Sequence, residues 1–95
     1  MAKIKSPIEQ AAGKLISAIQ KEWGNELGES TAEVSEEVVG RGHDLLQAAK
    51  HNEVESILSG LSVTQYLGEL WVRRHPSVKE YIENFERELG SSENV

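Results

Sequence analysis

The segment Leu61-Ser62-Val63-Thr64-Gln65-Tyr66-Leu67-Gly68-Glu69-Leu70-Trp71 is the centre of the stretch with the densest apolar pattern, which runs from Asn52 to Leu89. Ser62 followed three residues later by Gln65 is a capping box, in which each side chain bonds a backbone N–H at the start of a helix. Apolar side chains then recur at spacings of three and four, which predicts a helix with one apolar face formed by Val63, Tyr66, Leu67, Leu70 and Trp71. Pro76 lacks a backbone N–H and restricts His75, so we expect this helix to end at His75.

Two longer helices are predicted before this segment. Ser6-Pro7-Ile8-Glu9 gives the first a strong start, and Gly24 is placed to end it as a left-handed C-terminal cap. Ser30-Thr31-Ala32-Glu33 repeats the capping-box signature and starts a second helix, whose apolar positions stay in phase to about Lys50. Gly40-Arg41-Gly42 interrupts it with two glycines, each of which costs roughly 1 kcal/mol relative to Ala. One continuous helix and two shorter helices therefore both remain open.

Shorter helices are predicted in the second half of the chain. Asn52 caps a short helix that Gly60 ends. A last helix follows His75-Pro76-Ser77, carries apolar residues at helical spacing and ends at Gly90. No run of alternating apolar and polar residues demands a strand.

The fold predicted from these patterns is an all-α bundle of four to five helices. A chain of 95 residues is too short for two separate cores, so we expect a single domain. The helical domain covers residues 6–90, between a flexible start at residues 1–5 and a disordered tail at residues 91–95.

The composition restricts the partners and the compartment. Sixteen acidic and ten basic residues give a formal charge of −6, which opposes general affinity for nucleic acid and adsorption to anionic membranes. The chain has no cysteine, so disulfides, thiolate catalysis and cysteine-ligated zinc are excluded. No apolar run approaches the roughly 20 residues of a membrane helix, and no secretory signal follows Met1. We therefore expect a cytoplasmic protein with neither nucleic acid nor a membrane as its partner.

A helix-turn-helix is the alternative interpretation of residues 52–75. Such a unit has a short helix, a tight turn and a second helix whose first residues face the major groove of DNA. Gln65 could bind adenine through two hydrogen bonds. Against this interpretation, residues 53–72 hold three glutamates and neither lysine nor arginine. The candidate DNA-binding residues are Ser62, Thr64, Gln65, Arg73 and Arg74.

No pattern in the chain calls for catalysis, a metal or a cofactor. His43, Gln47 and His51 could share one helical face, but a metal site needs three or four converging ligands. Gly40-Arg41-Gly42 lacks the third glycine and the preceding strand of a dinucleotide loop. Neither a nucleophile elbow nor a His-Glu-x-x-His zinc motif is present. We expect a protein that is not an enzyme and that holds no metal or cofactor.

The remaining function class is protein binding. Val72 falls outside the apolar stripe, so we expect it to be exposed, and Trp71 is either a hot spot of binding or a core residue. We expect a small interaction or regulatory protein that binds a protein partner, with a homodimer as a natural variant. The acidic stretch Glu26–Glu37 would form a second surface, suited to a basic partner. The predicted partner-binding residues are Trp71, Val72, Arg73, Arg74 and Lys79.

Overall fold

A computed structural model of the chain describes residues 6–93, and the side chains of residues 6–90. Within this part of the chain the structure is helical and contains no strand, which confirms the all-α prediction. Our expectations for residues 1–5 and for residues 94 and 95 lie outside the described residues. In chain order the elements are α1 (Pro7–Asn25), α2 (Ala32–Lys50), α3 (Val54–Leu58), α4 (Val63–Leu67), α5 (Glu69–Arg74), a 3₁₀ turn (Pro76–Val78) and α6 (Lys79–Glu93).

Helices α1 and α2 form an antiparallel pair. Ile16 of α1 approaches Gly42 of α2, whereas Glu26, just after α1, bonds to Ser35 near the start of α2. The N-terminal end of α1 is built as predicted, with Ser6 as the N-cap and Pro7 in the first turn. Helix α6 packs on α1, and the shorter helices close the core. Apart from Ile16, the buried apolar residues belong to one core cluster, whose largest members are Leu15, Ile19, Leu45, Leu67, Trp71, Ile82 and Phe85.

The second helix is continuous through both of its glycines. Gly42 is buried, and a Cβ atom placed there would lie 2.5 Å from Ile16 Cδ1 and 3.1 Å from Ile19 Cδ1. A Cβ atom at Gly40 would meet nothing within 4 Å. Of the two glycines, only Gly42 is therefore needed for close packing of α1 against α2.

Two predicted ends between α1 and α2 are wrong. Gly24 lies inside α1, and the helix ends at Asn25 with Glu26 as a C-cap that is not left-handed. Helix α2 starts after Thr31 rather than Ser30, and no side-chain cap is formed there. The physical reason is that the Thr31 side chain hydrogen-bonds to the Glu26 carboxylate instead. The turn between the helices is thus closed by a side-chain bond to the Glu26 carboxylate and not by a capping box.

The turn around α3 also differs from the prediction. Asn52 does not cap α3 but adopts a left-handed conformation with φ of 57°, and α3 starts only at Val54. Asparagine tolerates this region better than most residues, which explains its place in the turn. The helix ends at Leu58, and the left-handed pair Ser59 and Gly60 turns the chain toward α4.

The helix expected from Val63 to His75 is broken at Gly68. The capping box is confirmed, with Ser62 Oγ 3.1 Å from the backbone nitrogen of Gln65 and Gln65 Oε1 3.0 Å from the backbone nitrogen of Ser62. Gly68 then takes φ of 119° and ψ of 108°, which only glycine adopts readily, and α4 stops. The break changes the helical phase of every residue that follows.

The last helix continues past its predicted end. Gly90 lies within α6, which runs to Glu93, so the tail expected at residues 91–95 begins as helix. Gly90 has no positive φ and is tolerated inside the helix at a cost of about 1 kcal/mol. None of the helices in residues 6–93 has the length and apolar character needed to cross a membrane.

Candidate functional site

The predicted partner-binding residues do not form one exposed patch. Trp71 is 6% exposed and Val72 is 5% exposed, so both belong to the core. Arg73, Arg74 and Lys79 are exposed. The expectation that Val72 lies outside the apolar face is wrong, because the break at Gly68 rotates α5 and turns Val72 inward. The apolar centre of the predicted surface is therefore absent from the exterior of the molecule.

The residues proposed to read DNA are placed in a short, capped helix. The side chains of Ser62 and Gln65 bond to each other's backbone nitrogen atoms, and Thr64 is half-buried. Helix α4 has only five residues. A recognition helix lies in the major groove and contacts base edges there, so α4 is short for that role. Arg73 and Arg74 lie beyond the break, on α5. DNA binding stays an untested prediction that none of these contacts favours.

The exposed face between α2 and α5 contains a cleft of about 560 Å³. Val34 and Val38 of α2 form the apolar part of one wall, and Leu67, Leu70 and Trp71 form the apolar part of the other. Val34 is 54% exposed and Leu70 is 59% exposed, which makes them two of the four large apolar side chains left open to solvent in the described residues. The polar and charged residues of this α2–α5 cleft are Glu22, Glu26, Thr31, Ser35, Glu37, Arg41, Arg74 and His75.

A chain of buried and partly buried hydrogen bonds joins the two walls of the cleft. The indole Nε1 of Trp71 donates to Ser35 Oγ at 2.8 Å, and Ser35 Oγ donates to Glu26 Oε1 at 3.0 Å. Ser35 is fully buried, and this pair of bonds uses its hydroxyl both as acceptor and as donor. A buried polar group without a partner costs roughly 1–3 kcal/mol, so the serine depends on both neighbours.

His75 closes the chain into a ring. Its Nδ1 lies 2.8 Å from the backbone oxygen of Trp71, and its Nε2 lies 2.5 Å from Glu26 Oε1. The imidazole stacks on the Trp71 indole, with ring centroids 4.2 Å apart and an angle of 18° between the planes. The side chains of His75 and Glu26 are 14% and 12% exposed. We refer to Glu26, Ser35, Trp71 and His75 as the Glu26 network.

The hydrogen bonds of the Glu26 network lower the pKa of its carboxyl group. A hydrogen bond from Thr31 lowers the pKa of Glu26 most, bonds from His75 and Ser35 add to this effect, and burial opposes it. Glu26 is therefore a carboxylate, which can only accept hydrogen bonds. The Trp71 carbonyl is likewise only an acceptor. Both ring nitrogens of His75 therefore lie against acceptors, namely the Trp71 carbonyl and the Glu26 carboxylate.

This arrangement differs from that of a catalytic relay. In a serine hydrolase the histidine accepts the proton of the serine hydroxyl, and a carboxylate orients the histidine. Here Ser35 donates to Glu26 and makes no described contact with His75. Both ring nitrogens of His75 are engaged by the Trp71 carbonyl and the Glu26 carboxylate, so neither is directed at the Ser35 hydroxyl. The chemistry that the network supplies is the fixing of α5 against α2.

Two opposite charges remain unpaired at the cleft. Arg41 is engaged, because its Nη1 lies 3.2 Å from the backbone oxygen of Leu67 and caps α4. Glu37 on α2 and Arg74 on α5 are exposed, and neither has an ion-pair partner within the described part of the chain. The cleft therefore offers an apolar centre with one free carboxylate and one free guanidinium beside it.

The histidines considered for metal binding do not converge. His43 Nε2 lies 3.1 Å from Gln20 Nε2 on the outside of the α1–α2 pair. His51 lies in the turn after α2, so it leaves the face on which Gln47 lies. Across the described residues, no group of three histidine, aspartate or glutamate side chains is placed to hold a metal ion.

Sequence reasoning missed the Glu26 network, although one signal was present. Ser35 is in helical phase with Val38, Gly42 and Leu45, so it lies on the face of α2 that the sequence marks as buried. A buried serine needs partners, and a buried tryptophan needs an acceptor for its N–H. The sequence separations of 36 and 49 residues conceal which partners these are.

Comparison with known proteins yields no match. No protein-family model matches the chain. Neither does a curated protein or a solved structure. The function proposed below therefore rests on the α2–α5 cleft and on the contacts that shape it.

Proposed function

We propose that this chain is a small, non-enzymatic interaction or regulatory module, which binds a protein partner by accepting an apolar side chain into the α2–α5 cleft. The observation that carries this proposal is the exposure of Val34 and Leu70, at 54% and 59%, beside a concave and largely apolar surface. Burial of apolar surface contributes about 25 cal/mol per Å². Covering these two side chains therefore supplies a driving force for association.

The walls of the cleft are held in place before a partner arrives. Trp71 and Val72 anchor α5 in the core, and the Glu26 network ties the same helix to α2. A surface fixed in this way loses little conformational entropy on binding, which favours affinity. The imidazole of His75 and the carboxylate of Glu26 are already hydrogen-bonded to each other, so they remain satisfied when the cleft is covered.

The charges at the cleft support a protein rather than a nucleic acid as the partner. Glu22, Glu26 and Glu37 would repel phosphates, and Arg41 already donates to backbone oxygens. A protein surface can present an apolar side chain with polar groups around it, which is the usual anatomy of an interface. We also propose a cytoplasmic location, because a chain without cysteine suits a reducing compartment.

Photocrosslinking from the cleft tests this function. A photoreactive amino acid replaces Val34, and the adducts formed in a lysate of the source organism are compared with and without Leu70→Glu. We expect Leu70→Glu to abolish the dominant protein adduct, since it places a charge in the apolar centre. Leu61→Glu is the matched control, because Leu61 is 47% exposed and does not line the cleft. Equal adduct yields for the two glutamate variants would refute the proposal.

A further inference from the structure

The α2–α5 cleft contains both a projecting apolar side chain and the concavity that could receive it. Leu70 on one wall is 59% exposed, and the opposite wall presents Val34, which is 54% exposed. We infer that the partner of the cleft is a second copy of this chain, related to the first by a two-fold axis. This inference rests on the proposed function and names its partner.

A two-fold interface requires one surface to be complementary to itself. Rotation about the axis brings α5 of one copy over α2 of the other, so that each Leu70 enters the partner copy's cleft. The same rotation covers Val34 on both copies. In each copy the exposed Leu70 side chain is thus buried and the cleft is filled. One symmetric contact produces both effects.

The same two-fold arrangement also pairs opposite charges at the cleft. Glu37 belongs to α2 and Arg74 belongs to α5, and both are exposed without an ion-pair partner in the described residues. When α5 lies over the partner copy's α2, Arg74 of each copy approaches Glu37 of the other. Two opposite-charge pairs form, and no like charges are brought together by this pair of residues.

The overall charge makes this surface the favourable place for two copies to meet. The whole chain carries −6, so two copies repel each other over most of their surface. The cleft holds three carboxylates and two guanidinium groups, so its formal charge is much smaller than that of the whole chain. A strongly basic partner would be repelled by Arg74, and a strongly acidic partner by Glu37. A second copy presents both a positive and a negative charge at this surface, so it can avoid both kinds of repulsion.

Charge reversal and mixing test the dimer with the full chain. Sedimentation equilibrium is measured for the wild type, Arg74→Glu, Glu37→Arg and an equimolar mixture of the two variants. We expect the wild type to dimerise and each variant alone to have a dissociation constant raised by about tenfold or more, because each places like charges together twice. We expect the mixture to form a heterodimer with near wild-type affinity, because both of its charge pairs are again opposite.

Matched controls separate this inference from loss of the fold. Glu36→Arg and Arg73→Glu change charge by the same amounts at exposed neighbours that do not line the cleft, and we expect both to dimerise as the wild type does. Far-ultraviolet circular dichroism checks that each variant is folded. A mixture that dimerises no better than the separate variants would overturn the inference.

The experiments can refute the dimer without refuting the proposed binding of a protein partner. A wild-type protein that is monomeric at about 100 μM would overturn the dimer, since the affinity would then be weaker than that of specific interfaces. If Leu70→Glu still abolished a crosslink to a different protein, the proposed function would stand. A crosslinked product of twice the chain's mass, lost in Leu70→Glu, would support both.

Discussion

His75 Nε2 and Glu26 Oε1 lie 2.5 Å apart, although 49 residues separate them in the chain. Their contact joins the end of α5 to the turn that follows α1, and the same carboxylate oxygen accepts from Ser35 of α2. Three segments of the fold therefore meet on one oxygen atom. Because α5 has only six residues, this contact helps to fix its position relative to α2, together with the burial of Trp71 and Val72. The shape of the α2–α5 cleft depends on it in turn.

Replacement of His75 by alanine should destabilise the fold. His75→Ala removes two hydrogen bonds and the stacking on Trp71, and it leaves the Glu26 carboxylate with fewer donors. We expect the free energy of unfolding to fall by about 2–3 kcal/mol, from loss of a charge-assisted bond and of an aromatic pair. Urea denaturation followed by tryptophan fluorescence measures the change. His51→Ala, at an exposed turn, is the control and should leave stability unchanged.

The stability of the protein should fall in acid partly through Glu26. The pKa of Glu26 is lowered from 4.5 in the folded state, chiefly by the hydrogen bond from Thr31 and also by those from His75 and Ser35. The unfolded chain therefore binds a proton at this group before the folded chain does. The stabilisation is complete above pH 4.5 and is lost as the pH falls through the folded pKa.

Measurements on a variant isolate this acid effect. We expect the free energy of unfolding of Glu26→Gln to depend less steeply on pH below about 4.5 than that of the wild type. Glu33→Gln, at an exposed position of α2, should keep the wild-type slope. Urea titrations at several pH values between neutrality and pH 3 give both slopes. Parallel curves for the wild type and Glu26→Gln would show that the network does not lower the pKa of Glu26.

The bond between Trp71 and Ser35 should be measurable as a coupling energy. Trp71→Phe removes the N–H donor, and Ser35→Ala removes its buried acceptor. We expect each single variant to lose about 1–2 kcal/mol and the double variant to lose less than their sum, by about 0.5–1.5 kcal/mol. Circular dichroism follows the unfolding, since Trp71→Phe removes a fluorophore. Trp23→Phe combined with Ser35→Ala should be additive, because Trp23 makes no described contact with Ser35.

The parts of the fold predicted from sequence are those that depend on near neighbours. Ser62 and Gln65 form their capping box three residues apart, and Ser6 caps α1 over the same distance. Such contacts are present whatever the rest of the chain does. The overall helical class follows in the same way, from spacings of three and four that any helix would show.

The parts that were not predicted depend on distant residues. A glycine inside a helix costs only about 1 kcal/mol. The residues around Gly68 therefore favour a helix that continues through it. The break becomes favourable because Arg41, 26 residues away, caps the free carbonyl of Leu67. With the break, Val72 turns inward and Leu70 turns outward, which reverses the predicted exposure. The cleft follows from that reversal and could not be found without it.

The two glycines of α2 should respond in opposite ways to substitution. Gly40→Ala should raise the free energy of unfolding by about 0.5–1 kcal/mol, because alanine is the better helix former and nothing lies within 4 Å of its Cβ. Gly42→Val should lower it by about 1–3 kcal/mol, because even its Cβ would lie 2.5 Å from Ile16 Cδ1. Thermal and urea unfolding measure both. Equal stability of the two variants would mean that α1 and α2 do not approach closely at Gly42.

Gly68 offers the test of the break itself. A Cβ atom at Gly68 would have only ordinary contacts, the nearest being Arg41 Nη1 and Trp71 Cβ at 3.9 Å, so space does not forbid alanine. The backbone does, because φ of 119° is strained for any residue with a Cβ atom. We expect Gly68→Ala to lower the free energy of unfolding by about 1–3 kcal/mol in urea titrations.

The control for this variant is a glycine in an ordinary helical conformation. Gly13 of α1 has no positive φ, and a Cβ atom there would meet nothing within 4 Å, so Gly13→Ala should be neutral or stabilising. If Gly68→Ala behaved like Gly13→Ala, helices α4 and α5 would be one continuous helix in solution. Leu70 would then return to the buried face, and Val72 would turn outward as the spacing of the sequence alone predicts. The stability of this one variant therefore decides whether the α2–α5 cleft exists with Leu70 exposed beside it.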